Sequence, residues 1–111
     1  MVNDQEQEVV DFQIENTLHE PRLLSPKDGS VISRSREILL RWGTVVTATK
    51  YTVQVSHDSF FVNPEYSAVV DTTATRTTTL QHVLYYWRVR ARNDRLESPW
   101  SEMRRFNISL E

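Results

Sequence analysis

The stretch YYWRVRARN, from Tyr85 to Asn93, decides the fold, and the segment SPWSE, from Ser98 to Glu102, follows it closely. Read at a period of two, the longer stretch separates into two faces. One face carries Tyr85, Trp87, Val89 and Ala91, and the other carries Tyr86, Arg88, Arg90 and Arg92. Alternation at this period is typical of a β-strand with one buried face. The sequence therefore predicts a strand that packs on a core and presents a row of guanidinium groups on its other side.

The rest of the chain also favours β-structure. Lys50 to Ser56 alternates regularly, with Tyr51, Val53 and Val55 on one face, and no segment repeats apolar residues at the spacing of a helix. Turns recur about every dozen residues, as in an all-β antiparallel immunoglobulin-like sandwich. Seven strands are predicted, at Pro21–Pro26, Glu37–Trp42, Lys50–Ser56, Tyr66–Asp71, Arg76–Leu80, Tyr85–Asn93 and Met103–Ile108.

Two connecting segments carry specific expectations. Gly29, in the turn Lys27–Ser30, is expected to adopt a positive φ angle, because glycine does so without steric cost. Phe60 and Phe61 lie in the loop from His57 to Pro64, which is polar at both ends. Both phenylalanines are expected to fold back and cover one end of the core.

Charge is unevenly distributed along the chain. The net charge is −2, but residues 1 to 20 contain six acidic residues and no Lys or Arg, which leaves nine acidic and thirteen basic residues in the remainder. The chain therefore divides into an acidic N-terminal arm, residues 1–20, and a mildly basic domain, residues 21–109. A domain of this length buries a single core.

The arm contains a strand signal of its own. The sequence DFQIEN at 11–16 resembles RFNISL at 105–110, and the two phenylalanines are 94 positions apart (106 minus 12). Because that separation is about the length of one immunoglobulin-like domain, residues 9–15 are interpreted as the last strand of a preceding repeat. The alternatives are a coincidental match in a plain linker and a strand that pairs with an exposed sheet edge of this domain or a neighbouring one.

The order of the special residues resembles the fibronectin type III domain. Trp42 ends a strand, Leu80 comes shortly before Tyr85, and the SPWS segment leads into the last strand. The variant YYWRVRA…SPWSE…F, with the opening PRLLSPKDG, resembles the bacterial tandem repeats of this family, and the likeness covers residues 21 to 109. The lead-in from Leu80 to Tyr85 departs from the family pattern, because it lacks a proline and is one residue shorter. The Tyr85 hydroxyl is expected to bond a nearby backbone group, and the expected core comprises Trp42, Tyr51, Val53, Val55, Leu80, Tyr85, Trp87 and Val89.

Catalytic, cofactor and metal sites receive no support from the sequence. The absence of cysteine excludes disulfides and thiolate metal ligands. His19, His57 and His82 lie in different segments without the spacing of metal ligands, so they are interpreted as loop or surface histidines. The two glycines are too far apart for a phosphate-binding loop, and no serine has a histidine partner nearby. We therefore expect no enzyme activity, no cofactor and no metal.

Nucleic acid and membranes are not expected partners either. Nucleic-acid binding uses a basic face with exposed aromatic residues, whereas this chain is acidic and its aromatic residues fall mostly inward. No apolar stretch is long enough to span a bilayer. The N-terminus MVNDQEQEVV lacks the features of a signal peptide, and the chain is interpreted as a fragment of a larger protein.

The candidate interaction site is the cationic face of the strand that opens this section. Arg88, Arg90 and Arg92 project from one face roughly 7 Å apart, and Trp100 is expected to lie across them. This arrangement resembles the arginine and tryptophan ladder of cytokine receptor domains, although only the second half of their WSxWS motif is present. The ladder is interpreted as a structural clamp between the last two strands, and the alternative is a surface for an acidic partner.

A second alternative is carbohydrate binding, in which Tyr66, Tyr86 and Trp100 stack on sugar rings. The fragment is thus predicted to be a non-catalytic module. It would serve as a spacer or protein-interaction domain beside neighbouring domains of the same chain, or as an accessory domain of a polysaccharide-active enzyme. The family resemblance implies an extracellular or cell-surface location in a bacterial protein.

Overall fold

A computed structural model describes residues 18–33 and 35–109. Within these ranges the regular structure consists of strands, and no helix has the length and apolarity that a membrane crossing requires. The strands are β1 (Leu23–Ser25), β2 (Ser30–Ser33), β3 (Leu39–Trp42), β4 (Lys50–Ser56), β5 (Tyr66–Val70), β6 (Ala74–Arg76), β7 (Leu84–Arg92) and β8 (Arg104–Ser109).

The strands form two sheets, as predicted for a sandwich. One sheet has the order β1-β3-β6, and the other has the order β2-β8-β7-β4-β5. Strand β4 has the bounds predicted from its alternation, and its partner β7 differs from prediction by one residue at each end. The all-β prediction is therefore confirmed.

The observed number of strands differs from the predicted number at the start of the domain, after the first predicted strand. After β1 pairs with β3, the chain passes Pro26 and Gly29, whose φ angle of +83° matches the prediction, and continues as β2 in the other sheet. Because the chain changes sheets without reversing, β2 runs parallel to β8. The described residues therefore form eight strands, and the prediction of a wholly antiparallel sandwich is wrong for this one pair.

The strand predicted at Arg76–Leu80 is displaced toward the N-terminus and ends at Arg76. Beyond it, the buried Thr77 donates its N–H to the Ile38 carbonyl, and its hydroxyl accepts the Ile38 N–H at 2.9 Å. A side-chain oxygen therefore replaces a main-chain carbonyl at this point, and the segment stays attached without continuing as a regular strand.

The core lies between the two sheets and contains every residue predicted for it. Those eight residues are each no more than 4% exposed. Phe106 and Ile108 of β8 join them, and so does Leu18, which the sequence assigned to the arm. The proposed strand at residues 9–15 lies outside the described residues, so the interpretation as a preceding repeat stays a prediction.

The two loop phenylalanines do not act together. Phe61 is buried, with 7% exposure, whereas Phe60 is 84% exposed. The Asp58 carboxylate accepts the N–H groups of Phe60 and Val62 and so holds the intervening backbone in a tight turn, with a φ angle of +56° at Phe61. Phe60 points to solvent, and Phe61 lies against Arg88 on the outer face of β7 instead of in the core cluster, so the prediction that both rings cover the core is wrong.

Candidate functional site

The cationic face of β7 is organised around two aromatic rings. The Arg88 guanidinium carbon lies 4.1 Å from the centre of the Phe61 ring and 3.9 Å from that of Trp100. The Arg90 guanidinium carbon lies 4.7 Å from the same Trp100 centre. We call these four residues the cation-aromatic stack. Arg88 and Arg90 point the same way because they are two positions apart on one strand.

Hydrogen bonds hold both arginines of the stack in place. Arg88 donates from Nε and Nη2 to Gln54 Oε1, at 3.1 and 2.8 Å. Gln54 is the partner of Arg88 in the ladder between β4 and β7. Arg90 donates from Nε to the Ser98 carbonyl at 3.2 Å, and its Nη1 lies 4.0 Å from Glu97 Oε1. Partial burial, followed by the proximity of Arg90, lowers the pKa of Arg88, but a guanidinium remains charged at every pH a protein tolerates.

The SPWS segment docks on β7 through its two buried serines. The N–H groups of Ser98 and Ser101 donate to the carbonyls of Ala91 and Val89, both at 2.8 Å. In the other direction, the serine hydroxyls accept the N–H groups of Ala91 and Val89, at 2.8 and 3.0 Å. Each serine therefore satisfies both backbone groups of its β7 partner, and Trp100 is held between these two anchor points.

Arg92 and Tyr86 lie at the two ends of β7, on either side of the stack. Arg92 is exposed, and its carbonyl accepts the Thr49 N–H at 2.9 Å. Tyr86 is half-buried and faces Ser56 on one neighbouring strand and Arg105 on the other. Of the five residues singled out from the sequence, the structure thus brings together Arg88, Arg90 and Trp100.

Phe61 and Gln54 are the members of this site that the sequence did not indicate. The aromatic residue was visible, but it was assigned to the core. The position of Gln54 opposite Arg88 follows from the register between β4 and β7, which the local pattern of neither strand specifies.

The structure also brings together three residues that the sequence left apart. His57, Glu65 and His82 offer ligand atoms that lie within 4.8 Å of one another. His57 Nδ1 contacts Glu65 Oε2 directly, and His82 Nε2 lies 3.7 Å from that oxygen. The two imidazole rings are stacked, with their centres 4.3 Å apart. Imidazole nitrogen and carboxylate oxygen are donors that metal ions use, so this histidine-glutamate cluster is a second candidate site.

The hydroxyl group of Tyr85 holds the main chain of His82 in position. The fully buried Tyr85 accepts the His82 N–H at its hydroxyl oxygen, at 2.7 Å. The expected bond between this hydroxyl and a nearby backbone group is therefore confirmed, although the lead-in lacks the proline of the family pattern.

Asp58 lies in the loop next to the cluster and is the carboxylate with the most bonding partners there. Desolvation acts to raise the pKa of Asp58, but hydrogen bonds from the Phe60 N–H, the Ser56 hydroxyl and the Val62 N–H outweigh it, with a smaller contribution from His57. The net effect lowers the pKa of Asp58 below its ordinary value of 3.8.

Comparisons with known proteins inform the fold. No family model and no curated protein sequence matches the chain. Among solved structures, the chain is similar to the fibronectin type III domain of human collagen alpha-1(XX), with a TM-score of 0.64 and 20% identity over 86% of this chain and 89% of that one.

Two further solved structures are similar. A mutant of FN3tt has a TM-score of 0.60 and 20% identity, over 86% of this chain and 97% of that one. A fibronectin type III-like protein from Clostridium thermocellum has a TM-score of 0.58 and 19% identity, over 85% of this chain and 94% of that one. Identity at this level establishes the fold alone.

Proposed function

We propose that this chain, which has the fibronectin type III fold, is a non-catalytic spacer that links neighbouring domains of a larger extracellular protein. The sequence resemblance supports the extracellular setting and the neighbouring repeats. The spacer role is supported by the path of the chain through the sandwich.

The chain enters and leaves the sandwich at opposite ends, and this observation carries the proposal. Near the entry, the first residue of β8, Arg104, donates from Nη1 to the carbonyl of Leu24 in β1 at 3.3 Å. The exit follows the last residue of β8, Ser109, which pairs with Ser33 at the end of β2. Five strand steps separate Arg104 from Ser109, or roughly 17 Å at about 3.3 Å per residue. Copies joined in series would therefore extend end to end.

The cation-aromatic stack supports a structural role over a ligand-binding role. Arg88 contacts two aromatic rings and bonds Gln54, and Arg90 contacts Trp100 and bonds the SPWS segment. Carbohydrate binding needs an aromatic face that is open to a sugar ring, whereas Trp100 is half-buried and already stacked on two guanidinium groups. The arrangement favours a clamp that stiffens the domain.

Pairs of spin labels can test whether entry and exit lie at opposite ends. The labels attach to introduced cysteines, and the chain has no cysteine of its own. Glu20→Cys with Ser109→Cys labels entry and exit, and a distance near the length of the sandwich is expected in a double electron-electron resonance measurement. Glu20→Cys with Glu102→Cys is the matched control, because both positions line the same surface depression beside Arg104. A distance for the first pair no longer than that for the control would contradict the proposal.

A tandem fusion of the chain tests whether the geometry serves a spacer. Two copies of the chain joined head to tail should give an elongated particle in small-angle scattering, about twice as long as a single copy. Each copy should unfold with the midpoint of the single domain. Side-by-side packing of the two copies would exclude the spacer role even if the label distances were as expected.

A further inference from the structure

The histidine-glutamate cluster is assembled from three separate segments of the chain. His57 directly follows β4, Glu65 directly precedes β5, and His82 lies in the connection from β6 to β7. Pairing of β4 with both β5 and β7 brings these three points to one end of the five-stranded sheet. The cluster is therefore a product of sheet register, which explains why the spacing of these residues along the chain does not indicate it.

The donor atoms of the cluster converge on one point. Glu65 Oε2 is the shared neighbour of His57 Nδ1, in direct contact, and of His82 Nε2, at 3.7 Å. A tetrahedral zinc ion with bonds of about 2.0–2.1 Å separates its ligand atoms by about 3.3 Å. The separation between Glu65 Oε2 and His82 Nε2 is close to that value. His57 Nδ1 and Glu65 Oε2 are closer together than two zinc ligands, so these two partly exposed side chains must move apart to admit an ion.

Neighbouring hydrogen bonds already orient two of the three donors. The main-chain N–H of His57 donates to Glu65 Oε1 at 3.0 Å. This bond fixes the carboxylate and leaves Oε2 directed at the two rings. The main-chain N–H of His82 donates to the hydroxyl of the buried Tyr85. This bond anchors the backbone that carries the second ring. Such supporting bonds reduce the cost of ordering ligands around an ion.

We propose that His57, Glu65 and His82 form a binding site for a divalent transition-metal ion of the zinc class. Two imidazole nitrogens and one carboxylate oxygen suit zinc, nickel or copper, whereas calcium and magnesium require oxygen donors throughout. The side chains of His57, Glu65 and His82 are 46%, 24% and 54% exposed, so water can complete the coordination.

The bound ion would join the connection between β4 and β5 to the connection between β6 and β7. These two connections come together where β7 starts. Leu84 pairs there with Asn107, two residues before the end of β8. The site thus lies at the end of the sandwich from which the chain leaves. Because an ion that binds only the folded chain stabilises it, zinc should raise the unfolding temperature.

Zinc chloride is the probe for the test, added to the chain after treatment with a chelator. Isothermal titration should give one ion per chain and thermal unfolding should shift upward, with no shift for calcium or magnesium. The substitutions His57→Gln, Glu65→Gln and His82→Gln should each weaken zinc binding by about tenfold or more, since each removes a ligand. His19→Gln is the matched control and should bind zinc like the unchanged chain, because His19 lies near Arg22 and Arg104 at the other end of β8.

A second measurement keeps the test independent of the variants. In NMR spectra of the backbone amides of the unchanged chain, zinc should shift the resonances around residues 57, 65 and 82. The resonances around His19 should stay unchanged. Absence of binding at millimolar zinc, shifts centred elsewhere, or unweakened binding by folded Glu65→Gln and His82→Gln variants would each overturn the proposal.

Discussion

The Arg88 guanidinium carbon lies 3.9 Å from the centre of the Trp100 ring, and this contact fastens the SPWS segment to the middle of β7. Regular pairing between β7 and β8 covers only the first part of β7, up to Trp87. Beyond that point the stack, the two buried serines and an isolated β-bridge between Arg92 and Glu97 keep the SPWS segment against the sheet. Individual side chains thus replace regular strand pairing here, and other side chains support the adjoining loops. Single substitutions should therefore have measurable effects on the stability of the domain.

Arg88→Lys should destabilise the domain by roughly 0.5–2 kcal/mol, the usual range for a cation over an aromatic ring. Lysine keeps the charge but loses the planar group that stacks on Trp100 and the two bonds to Gln54. Urea unfolding measures the change in the free energy of unfolding. The matched control is Arg92→Lys, at an exposed position of the same strand, which should change stability by less than about 0.5 kcal/mol.

A double-mutant cycle with Trp100→Ala separates the stacking contact from the loss of either side chain alone. We expect the two substitutions together to cost less than the sum of their separate effects. Strict additivity would show that Arg88 and Trp100 do not stabilise each other.

Ser101→Ala should lower the free energy of unfolding by about 1–3 kcal/mol. The fully buried Val89 then has an N–H group without the serine hydroxyl that accepts its hydrogen bond. For a domain of this size that loss lowers the unfolding temperature by several degrees, at about 4–8 °C per kcal/mol. Differential scanning calorimetry measures it. Ser67→Ala, at an exposed position of β5, is the control, and an equal loss there would mean that the hydroxyl bond is unimportant.

Tyr85→Phe should also cost about 1–3 kcal/mol, because the ring is retained and only the acceptor of the His82 N–H is lost. Hydrogen exchange should show faster exchange of the His82 amide in the variant. Tyr86→Phe serves as the control, since the described part of the chain offers its hydroxyl no hydrogen-bond partner. Similar destabilisation by both substitutions would argue against the bond between Tyr85 and His82 as the source of the effect.

Stability should fall in acid partly through Asp58. Because the folded state lowers the pKa of this carboxyl below 3.8, its contribution is complete above that value and is lost as pH falls through the folded pKa. Urea unfolding from about pH 6 to about pH 2 should therefore show a smaller loss for Asp58→Asn than for the unchanged chain. An equal loss in both proteins would contradict this role, and the exposed Asp71, changed to Asn, provides the comparison for an unrelated carboxylate.

The faces of the strands were predictable because alternation is a local property. Each predicted core residue is buried, including Trp42 and Leu80, which lie far apart along the chain. Burial of every second side chain follows from strand geometry alone, whichever strand becomes the neighbour. The same reasoning correctly placed Arg88 and Arg90 on the opposite face.

Predictions failed where one backbone rotation or one side-chain bond changed the path of the chain. The turn through Gly29 carries the chain from one sheet to the other, which makes β2 parallel to β8. The turn held by Asp58 buries Phe61 and exposes Phe60. Neither outcome changes the amphipathic pattern, so neither could be read from it.

By itself, the sequence YYWRVRARN determined a strand with an apolar and a cationic face, and with SPWSE and the other strands it determined the kind of sandwich. Tertiary structure decided which groups the arginines meet, namely Phe61, Gln54 and Trp100. It also decided that His57, Glu65 and His82 converge at one end of a sheet. The physical reason is that contacts between distant segments depend on strand register, which is fixed only when the whole core packs.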